Sequence, residues 1–433
     1  MRDTIYKNIC PVLLLVFALV LPTTSPNSAF NAAPWMVAVL FSWWLVGLGI
    51  NICKKNVNKI ACPRLMAVLL FALLYAAYIY GMLISQGIKV NDWFQKLPFV
   101  LLPCALLIPM VDYMDEKKWI CFKLTYAIAC VLSLLMCILH AYIGELSHFH
   151  FYNYYYSTLT GWLRHPAYLS MMYTMAIIFM VDLLYNKELS IKVKVMIHII
   201  NVFLSIGVVL SGSRAGILAF IVILFLYFVY VSCFERYHIK QWILSSMIPV
   251  MCFCISFLLL PRQQNRVIVT QSVVTDELSQ RYHKSSPKDA RVQAWQAAWS
   301  IGKQYFPKGV GIADFQQEQQ NFYRQHQYWV SAKKDLNAHN QYLQALASMG
   351  LLGIFSLLCL LAFILYTGVK NRNAVLCLFG VLIMINFMFE SMLERQDGIM
   401  FAVFFTCVLM MDISDKKFDN ENSKHSRGEA SVR

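Results

Sequence analysis

Charged residues are scarce in this 433-residue sequence: they make up 14% of it, hydrophobic residues make up 59%, and the mean hydropathy is +0.54. Soluble domains usually contain about 25% charged residues. The composition therefore excludes an ordinary soluble protein and indicates an integral membrane protein. The formal charge of +14 does not indicate a nucleic-acid partner, because cytoplasmic loops of membrane proteins collect lysine and arginine.

A cysteine framework is also lacking. The thirteen cysteines lie mostly in or beside apolar segments, and the longest polar stretch, residues 261–340, contains none. This distribution excludes a disulfide framework or a zinc pattern and is typical of cysteines that serve as small hydrophobic residues.

Long apolar runs are abundant, and about twenty apolar residues are enough to cross a bilayer. Twelve spans are predicted, of which the first and fourth are short: Ile9–Leu21, Pro34–Ile50, Leu65–Leu83, Leu97–Met110, Trp119–Gly144, Pro166–Leu184, Val193–Leu210, Ala215–Phe234, Trp242–Leu260, Tyr342–Tyr366, Ala374–Phe389 and Gly398–Met411. The sequence thus predicts an all-α polytopic membrane protein. Its expected parts are helices one to nine (1–260), a large loop (261–340), helices ten to twelve (341–412) and a polar tail (413–433).

Lysine and arginine are unevenly distributed between alternate loops. They follow the second, sixth, eighth and tenth spans and mark the tail, whereas none lies between Leu21 and Pro34. The positive-inside rule then places both termini in the cytoplasm and the large loop outside. Lys7, a short apolar run and Ser28-Ala29 also resemble a signal peptide. We favour a retained anchor, and cleavage would leave the later topology unchanged.

The large loop is basic. Its eleven Lys and Arg residues against six Asp and Glu residues leave a net charge of about +5. A basic loop joined to a membrane body suggests an anionic ligand held at the membrane surface.

The turn between the seventh and eighth spans, Ser211–Gly216, combines serines, glycines and Arg214. Ser211 or Ser213 can cap the helix that follows. Free N–H groups at a helix start beside a guanidinium form an anion site. A capped helix with a snorkelling arginine at the membrane interface is the equally weighted alternative.

Helical spacing recurs inside the loop, where Val292, Trp295, Trp299 and Gly302 form an apolar stripe and Arg291 lies one turn before Trp295. This pattern predicts a helix in the membrane interface, with tryptophans in the headgroup layer. An ordinary solvated arginine on the same helix is as compatible with the local sequence.

At the end of the loop, Asn337 is expected to cap the next helix and to place His339 in its first turn. The positive helix end would keep the imidazole neutral and able to accept a proton near pH 7. A structural histidine is the alternative. The aromatic residues between Glu145 and Arg164 favour an interface belt over sugar stacking, and Arg164 is a further candidate for phosphate binding.

Together these motifs resemble the bacterial O-antigen ligase and O-antigen polymerase superfamily of polytopic glycosyltransferases. The resemblance extends roughly from Met175 to Phe389, and the first half of the chain matches only in hydropathy. The motifs on which it rests are Ser211-Gly212-Ser213-Arg214, then Arg291, Trp295, Pro307, Gly309 and Gly311, then His339-Asn340-x-x-Leu343, followed by Gly350, Leu351 and Gly353.

The resemblance implies transfer of a glycan from an undecaprenyl pyrophosphate carrier at the periplasmic face of a Gram-negative inner membrane. It makes His339 the candidate general base. The remaining candidates are the pyrophosphate ligands Arg214, Arg291, Arg266, Arg281 and Arg164 and the supporting residues Ser211, Ser213 and Asn340. Fixed guanidinium groups can stabilise the charge that grows on a leaving pyrophosphate. No metal ion and no cofactor are therefore expected, and direct displacement would invert the anomeric centre.

Within the superfamily, the resemblance favours an O-antigen ligase with the lipid A-core oligosaccharide as acceptor. O-antigen polymerase and protein O-oligosaccharyltransferase are the alternatives. A transporter or lipid flippase is the competitor from another class, but such proteins usually place ionisable residues in mid-membrane. Here these residues are few, with His198 the clearest, and charge collects on the outer face.

Overall fold

The computed structural model describes residues 2–25, 32–53, 62–86, 90–108, 114–144, 154–184, 186, 189–234, 254 and 290–411. Within these ranges the chain is helical and forms no strand, which confirms an all-α protein. The signal-peptide region at Ser28-Ala29, almost all of the ninth predicted span and the polar tail lie outside the described residues.

Sixteen α-helices with defined bounds and a short 3₁₀ helix, Met392–Glu394, lie in the described ranges. The α-helices are α1 (Arg2–Thr23), α2 (Ala32–Cys53), α3 (Cys62–Leu83), α4 (Val90–Lys96), α5 (Pro98–Leu107), α6 (Glu116–Gly144), α7 (Tyr156–Thr160), α8 (Pro166–Leu184), α9 (Ile191–Ser211), α10 (Arg214–Phe234), α11 (Ala290–Gln304), α12 (Ile312–Gln325), α13 (Trp329–Lys333), α14 (Gln341–Lys370), α15 (Ala374–Phe389) and α16 (Gln396–Met411).

Six of these helices are long and apolar enough to cross a membrane, namely α2, α3, α6, α8, α9 and α14. Shorter apolar helices occupy the regions of α1, α5, α10, α15 and α16. The chain is therefore a multi-pass membrane protein. The total of twelve spans stays a prediction.

Helix α8 lies at the centre of the bundle: nearly all of its residues are buried, and it packs against α6, α9, α10 and α15. Of these neighbours, α6, α9 and α10 keep several apolar side chains exposed, as expected for helices in contact with lipid. The fourth predicted span, Leu97–Met110, is shorter in the structure, because α5 begins at Pro98 and ends at Leu107. Proline lacks a backbone N–H and fits the first turn of a helix.

Helix α14 is kinked at Gly350, whose φ of 64° and ψ of −147° are not helical. In an unbroken helix the Ala347 and Ser348 carbonyls would accept N–H groups four residues later. Here the Val310 N–H donates to the Ala347 carbonyl and the Gly311 N–H to the Ser348 carbonyl, both at 2.9 Å. A segment of the large loop thus supplies the hydrogen bonds that the kink removes.

The same contact explains two glycines. The Leu351 N–H donates to the Pro307 carbonyl at 2.8 Å. A Cβ on Gly350 would overlap the Pro307 carbonyl oxygen, and a Cβ on Gly309 would press on the Gly350 backbone. Both glycines also have positive φ, where side chains are disfavoured.

Helices α11, α12 and α13 form a layer on one end of the bundle, hereafter the loop end. Helix α12 is fastened to the end of α3, where Ser85 Oγ accepts the Ala313 N–H at 3.1 Å and Asp314 Oδ2 accepts the Gln86 N–H at 2.9 Å. Helix α11 packs along α14. The described part of the large loop is therefore folded against the bundle.

The structure confirms the helix predicted around Arg291, and its location in the membrane interface stays a prediction. Val292 and Gly302 are buried, whereas Trp299 is 48% exposed. The buried face of α11 is instead made largely of alanines, including Ala294 and Ala298. Small side chains allow α11 to approach its neighbours closely, and a buried tryptophan would hold them apart.

Candidate functional site

The candidate site is organised by a short turn, Glu390–Asp397, between α15 and α16 at the loop end. Its three carboxylates pair with basic side chains from four different parts of the chain: Glu390 with Arg291 and His339, Glu394 with Lys96, and Asp397 with Arg164. The turn therefore joins α11 and the segments before α5, α8 and α14.

Glu390 lies between two of the predicted site residues. Its Oε2 is 3.1 Å from His339 Nδ1, and its Oε1 is 2.9 Å from Arg291 Nη2. The glutamate side chain is 9% exposed, the histidine 21% and the arginine 37%. Each carboxylate oxygen thus has its own partner, while part of the Arg291 side chain stays exposed.

The pairing with Glu390 selects a tautomer of His339. Burial raises the pKa of Glu390, but the hydrogen bond and charge of His339, with the charges of Arg291 and His165, outweigh burial and hold that pKa below its ordinary value. An ionised carboxylate only accepts hydrogen bonds, so His339 Nδ1 must donate. In the neutral ring, Nε2 then carries the lone pair and can accept a proton.

His339 lies before helix α14 and not inside its first turn. Asn340 is the cap residue, with extended φ and ψ, and its Oδ1 accepts the Leu343 N–H at 3.0 Å. Asn337 instead accepts the His339 N–H at 3.0 Å. The prediction that Asn337 caps this helix is therefore wrong, because the Asn337 side chain accepts a hydrogen bond from His339, which precedes the helix.

The backbone of His339 is held in an uncommon conformation, with a φ of 44°. Trp295 of α11 donates its Nε1–H to the His339 carbonyl at 3.3 Å. The next residue, Asn340, is hydrogen-bonded to the end of α15 and the turn after it: its N–H donates to Ser391 Oγ at 3.3 Å and its Nδ2 donates to the Met388 carbonyl at 3.1 Å. Left-handed backbone at a non-glycine residue persists only where the surroundings fix it.

The turn before α10 has the cap that its sequence predicted. Ser213 Oγ accepts the Gly216 N–H at 3.2 Å, whereas Ser211 Oγ donates to the Val208 carbonyl at 2.6 Å within α9. Ser213 is therefore the capping serine of the two. Arg214 begins α10 and is exposed.

Arg214 lies at the same end of the bundle as Glu390. Near the other end of α10, Tyr230 Oη donates to the Arg372 carbonyl at 3.0 Å, just before the start of α15. The two packed helices therefore run in opposite directions. The start of α10 and the end of α15 consequently meet at the loop end.

Arg164 is the most deeply buried of the predicted site arginines that the structure describes. Its side chain is fully buried and forms an ion pair with Asp397. Burial against Asp397 favours a structural role, and phosphate binding by Arg164 stays a prediction. Arg266 and Arg281 lie outside the described residues, as do residues 145–153 of the aromatic loop.

Sequence reasoning missed Glu390, Glu394 and Lys96. A signal for the two glutamates was present, because the short turn between the last two predicted spans carries three carboxylates in a chain that has only 23 in total. Lys96 gave no such signal, since a single lysine before a span is ordinary. Among the described residues, no group of three or more His, Cys, Asp or Glu side chains could hold a metal ion.

Comparison with known proteins agrees with the motifs. Residues 199–358 match the family model described as O-antigen ligase. The matched range contains Arg214, Arg291 and His339, whereas the turn that carries Glu390 follows it. No curated protein matches the chain.

Proposed function

We propose that this chain, whose residues 199–358 match the O-antigen ligase family model, is a glycosyltransferase that moves a glycan from undecaprenyl pyrophosphate to the lipid A-core oligosaccharide. The proposed location is the periplasmic face of the inner membrane. The observation that carries the proposal is the contact of His339 Nδ1 with Glu390 beside Arg291.

His339 is the proposed general base. Glu390 holds the ring with Nδ1 as donor, so Nε2 accepts the proton of the acceptor sugar hydroxyl as the new bond forms. The ionised carboxylate also stabilises the imidazolium that results. General-base catalysis of this kind typically contributes about 10²–10⁴-fold to a rate.

The arginines are the proposed ligands of the leaving group. As the acceptor oxygen attacks the anomeric carbon, the bond from that carbon to the phosphate oxygen breaks, and undecaprenyl pyrophosphate leaves with the electron pair. Arg291 and Arg214, at the same end of the bundle, would meet this negative charge. Arg266 and Arg281 are further candidates. A single displacement from the opposite side inverts the anomeric centre.

Ionisable side chains at the loop end support transfer at the membrane surface. Arg291, His339 and Glu390 form one connected group there, and the resemblance of the His339-Asn340 motif favours the ligase within the superfamily. A polymerase would use the same donor and the same base with another lipid-linked glycan as acceptor.

A deletion strain complemented with plasmid-borne variants tests the proposal through its lipopolysaccharide profile. The wild-type chain should restore long polysaccharide on the lipid A-core, and His339→Ala should restore none at equal membrane abundance. His326→Ala is a matched control, because His326 is exposed directly after α12 and stacks on Phe322 within the same loop layer.

The profile also separates the alternatives. Core-only lipid with accumulating undecaprenyl-linked polymer in the deletion strain supports a ligase, whereas core plus one repeat supports a polymerase. Normal polysaccharide in the His339→Ala strain would refute the assignment of the base.

A further inference from the structure

A second polar cluster lies at the far side of the turn Glu390–Asp397. Lys96, the last residue of α4, places Nζ 3.0 Å from Glu394 Oε2 and also donates to the Leu393 carbonyl. Tyr78 of α3 donates to Glu394 Oε1 at 2.8 Å, and the lysine ammonium lies 4.3 Å from the centre of its ring. The cluster therefore fastens the first half of the chain to this turn.

The ammonium group of Lys96 is deeply buried, with a side chain that is 2% exposed. Removing a charge from water is costly even when it is paired, and well-packed hydrophobic residues often stabilise a fold as well as a buried ion pair does. A buried ion pair also restricts the relative position of the two segments that carry it, because the ammonium and the carboxylate must lie within hydrogen-bonding distance. The Lys96–Glu394 pair is thus suited to setting the position of the turn.

The cluster is connected to the histidine segment through Gln341. Its Oε1 accepts the Leu393 N–H at 2.7 Å, and its Nε2 donates to Glu394 Oε1 at 3.3 Å. Segment 339–341 consequently lies beside segment 390–394 and is bonded to it repeatedly. His339 pairs with Glu390 at one end of this contact, and Gln341 meets the lysine cluster at the other.

We propose that Lys96 is a positioning residue for the transfer reaction: by fixing Glu394 it sets the turn against the histidine segment and so keeps Glu390 in line with the ring of His339. The inference rests on the proposed function. Lys96 itself touches no reacting group. Its effect arises because a displacement of about 1 Å in a catalytic group can cost roughly 10²-fold in rate.

The test compares two buried lysine ion pairs in one chain. Lys96→Met removes the charge at nearly constant side-chain length. Lys123→Met does the same to the pair between Lys123 Nζ and Asp182 Oδ2, which is 2.8 Å long and joins α6 to the opposite end of α8. Both variants should lose stability, so only a specific effect on transfer separates them.

Purified protein in nanodiscs supplies the measurement. Undecaprenyl-pyrophosphate-linked glycan extracted from the host serves as donor and host lipid A-core as acceptor, and consumption of the donor is followed per folded molecule. Lys96→Met should lower kcat about tenfold or more and change the donor KM by no more than about twofold, since the ligand contacts remain. Lys96→Arg should recover part of kcat, because it keeps a charge for Glu394. Lys123→Met should keep the wild-type kcat.

His339→Ala in the same assay separates the two proposals. If that variant transfers glycan normally, the proposed function fails. If it is inactive but Lys96→Met has the same kcat as Lys123→Met, only the positioning role is overturned. Should Lys96→Met not fold, Glu394→Gln is measured instead, since it removes the charge and keeps an oxygen for Tyr78. A wild-type kcat in Glu394→Gln, or failure of both variants to fold, would overturn the positioning role.

Discussion

Gly350 and Pro307 are in direct backbone contact: the space where a Cβ of Gly350 would lie is filled by the Pro307 carbonyl oxygen. The two residues belong to motifs that stand more than forty positions apart in the sequence. Their contact holds the layer of α11–α13 on the kinked helix α14. Arg291 lies in this layer and His339 directly precedes α14. The backbone contact at Gly350 therefore helps to set the relative position of these two side chains.

Substitution of Gly350 should therefore separate the loop layer from the bundle. Gly350→Ala forces a side chain into a backbone region that is essentially restricted to glycine, at a cost of about 1–3 kcal/mol before the clash is counted. We expect a lower unfolding temperature and loss of transfer. Gly49→Ala is the control, because nothing lies within 4 Å of a Cβ at that position in α2. Equal unfolding temperatures and equal activity of the two variants would contradict this prediction.

Replacement of Glu390 tests the orientation of the histidine. Glu390→Gln keeps the shape of the side chain but allows its amide to donate to His339 Nδ1, which would move the proton to Nε2 and remove the base. Transfer should fall by about 10²-fold or more. Release of donor glycan by the purified variant measures the effect, and transfer within about twofold of wild type would show that the carboxylate is dispensable.

The same residue predicts a change of stability with pH. The pKa of Glu390 is held below its ordinary value of 4.5. A lowered pKa in the folded state stabilises the protein above the pKa of the unfolded chain, and this contribution is lost as the pH falls through the folded pKa. Unfolding temperatures of wild type and Glu390→Gln in detergent should therefore differ most near pH 7 and converge in acid. A difference in unfolding temperature that grows below pH 4.5 would contradict the lowered pKa of Glu390.

Lysine should not replace arginine at the proposed pyrophosphate ligands. Arg291→Lys and Arg214→Lys keep the charge but lose the planar fork that binds two oxygens at once. Each should reduce transfer by at least about tenfold, as expected for loss of a charge-assisted hydrogen bond. Arg324→Lys, on the exposed side of α12, should transfer normally. Wild-type rates in both ligand variants would argue against a phosphate clamp.

Chelation tests the expectation that arginines act in place of a metal ion. Purified protein should consume the donor at the same rate before and after treatment with EDTA, because guanidinium groups already supply the positive charge at the leaving group. Loss of activity with EDTA that added magnesium or manganese restores would assign that charge to a metal ion.

The sequence predicted the features that depend on neighbouring residues. Hydropathy located the helices, and helical spacing predicted α11 around Arg291. The cap of α14 was assigned to the wrong asparagine, because the Asn337 side chain accepts the His339 N–H and Asn340 caps the helix, and these hydrogen bonds depend on the fold around them.

Features that depend on distant residues were not foreseeable in this way. Lys96 and Glu394 are 298 positions apart, and Arg164 and Asp397, which also form an ion pair, are likewise distant in the sequence. Periodicity reports only on neighbours along a helix or strand. The kink of α14 at Gly350 was equally hidden, because a glycine inside an apolar run leaves the hydropathy almost unchanged.

The attachment of α12 to Ser85 and Gln86 has a consequence for chimeric proteins. Those two residues lie before the range that matches the family model, residues 199–358, yet they anchor the loop layer through the Ala313 N–H and the Asp314 carboxylate. A chimera in which residues 290–340 were replaced by those of a relative would lack the contacts that the relative's own α3 end makes with that loop. Transplants between such proteins should therefore carry the end of α3 together with the loop.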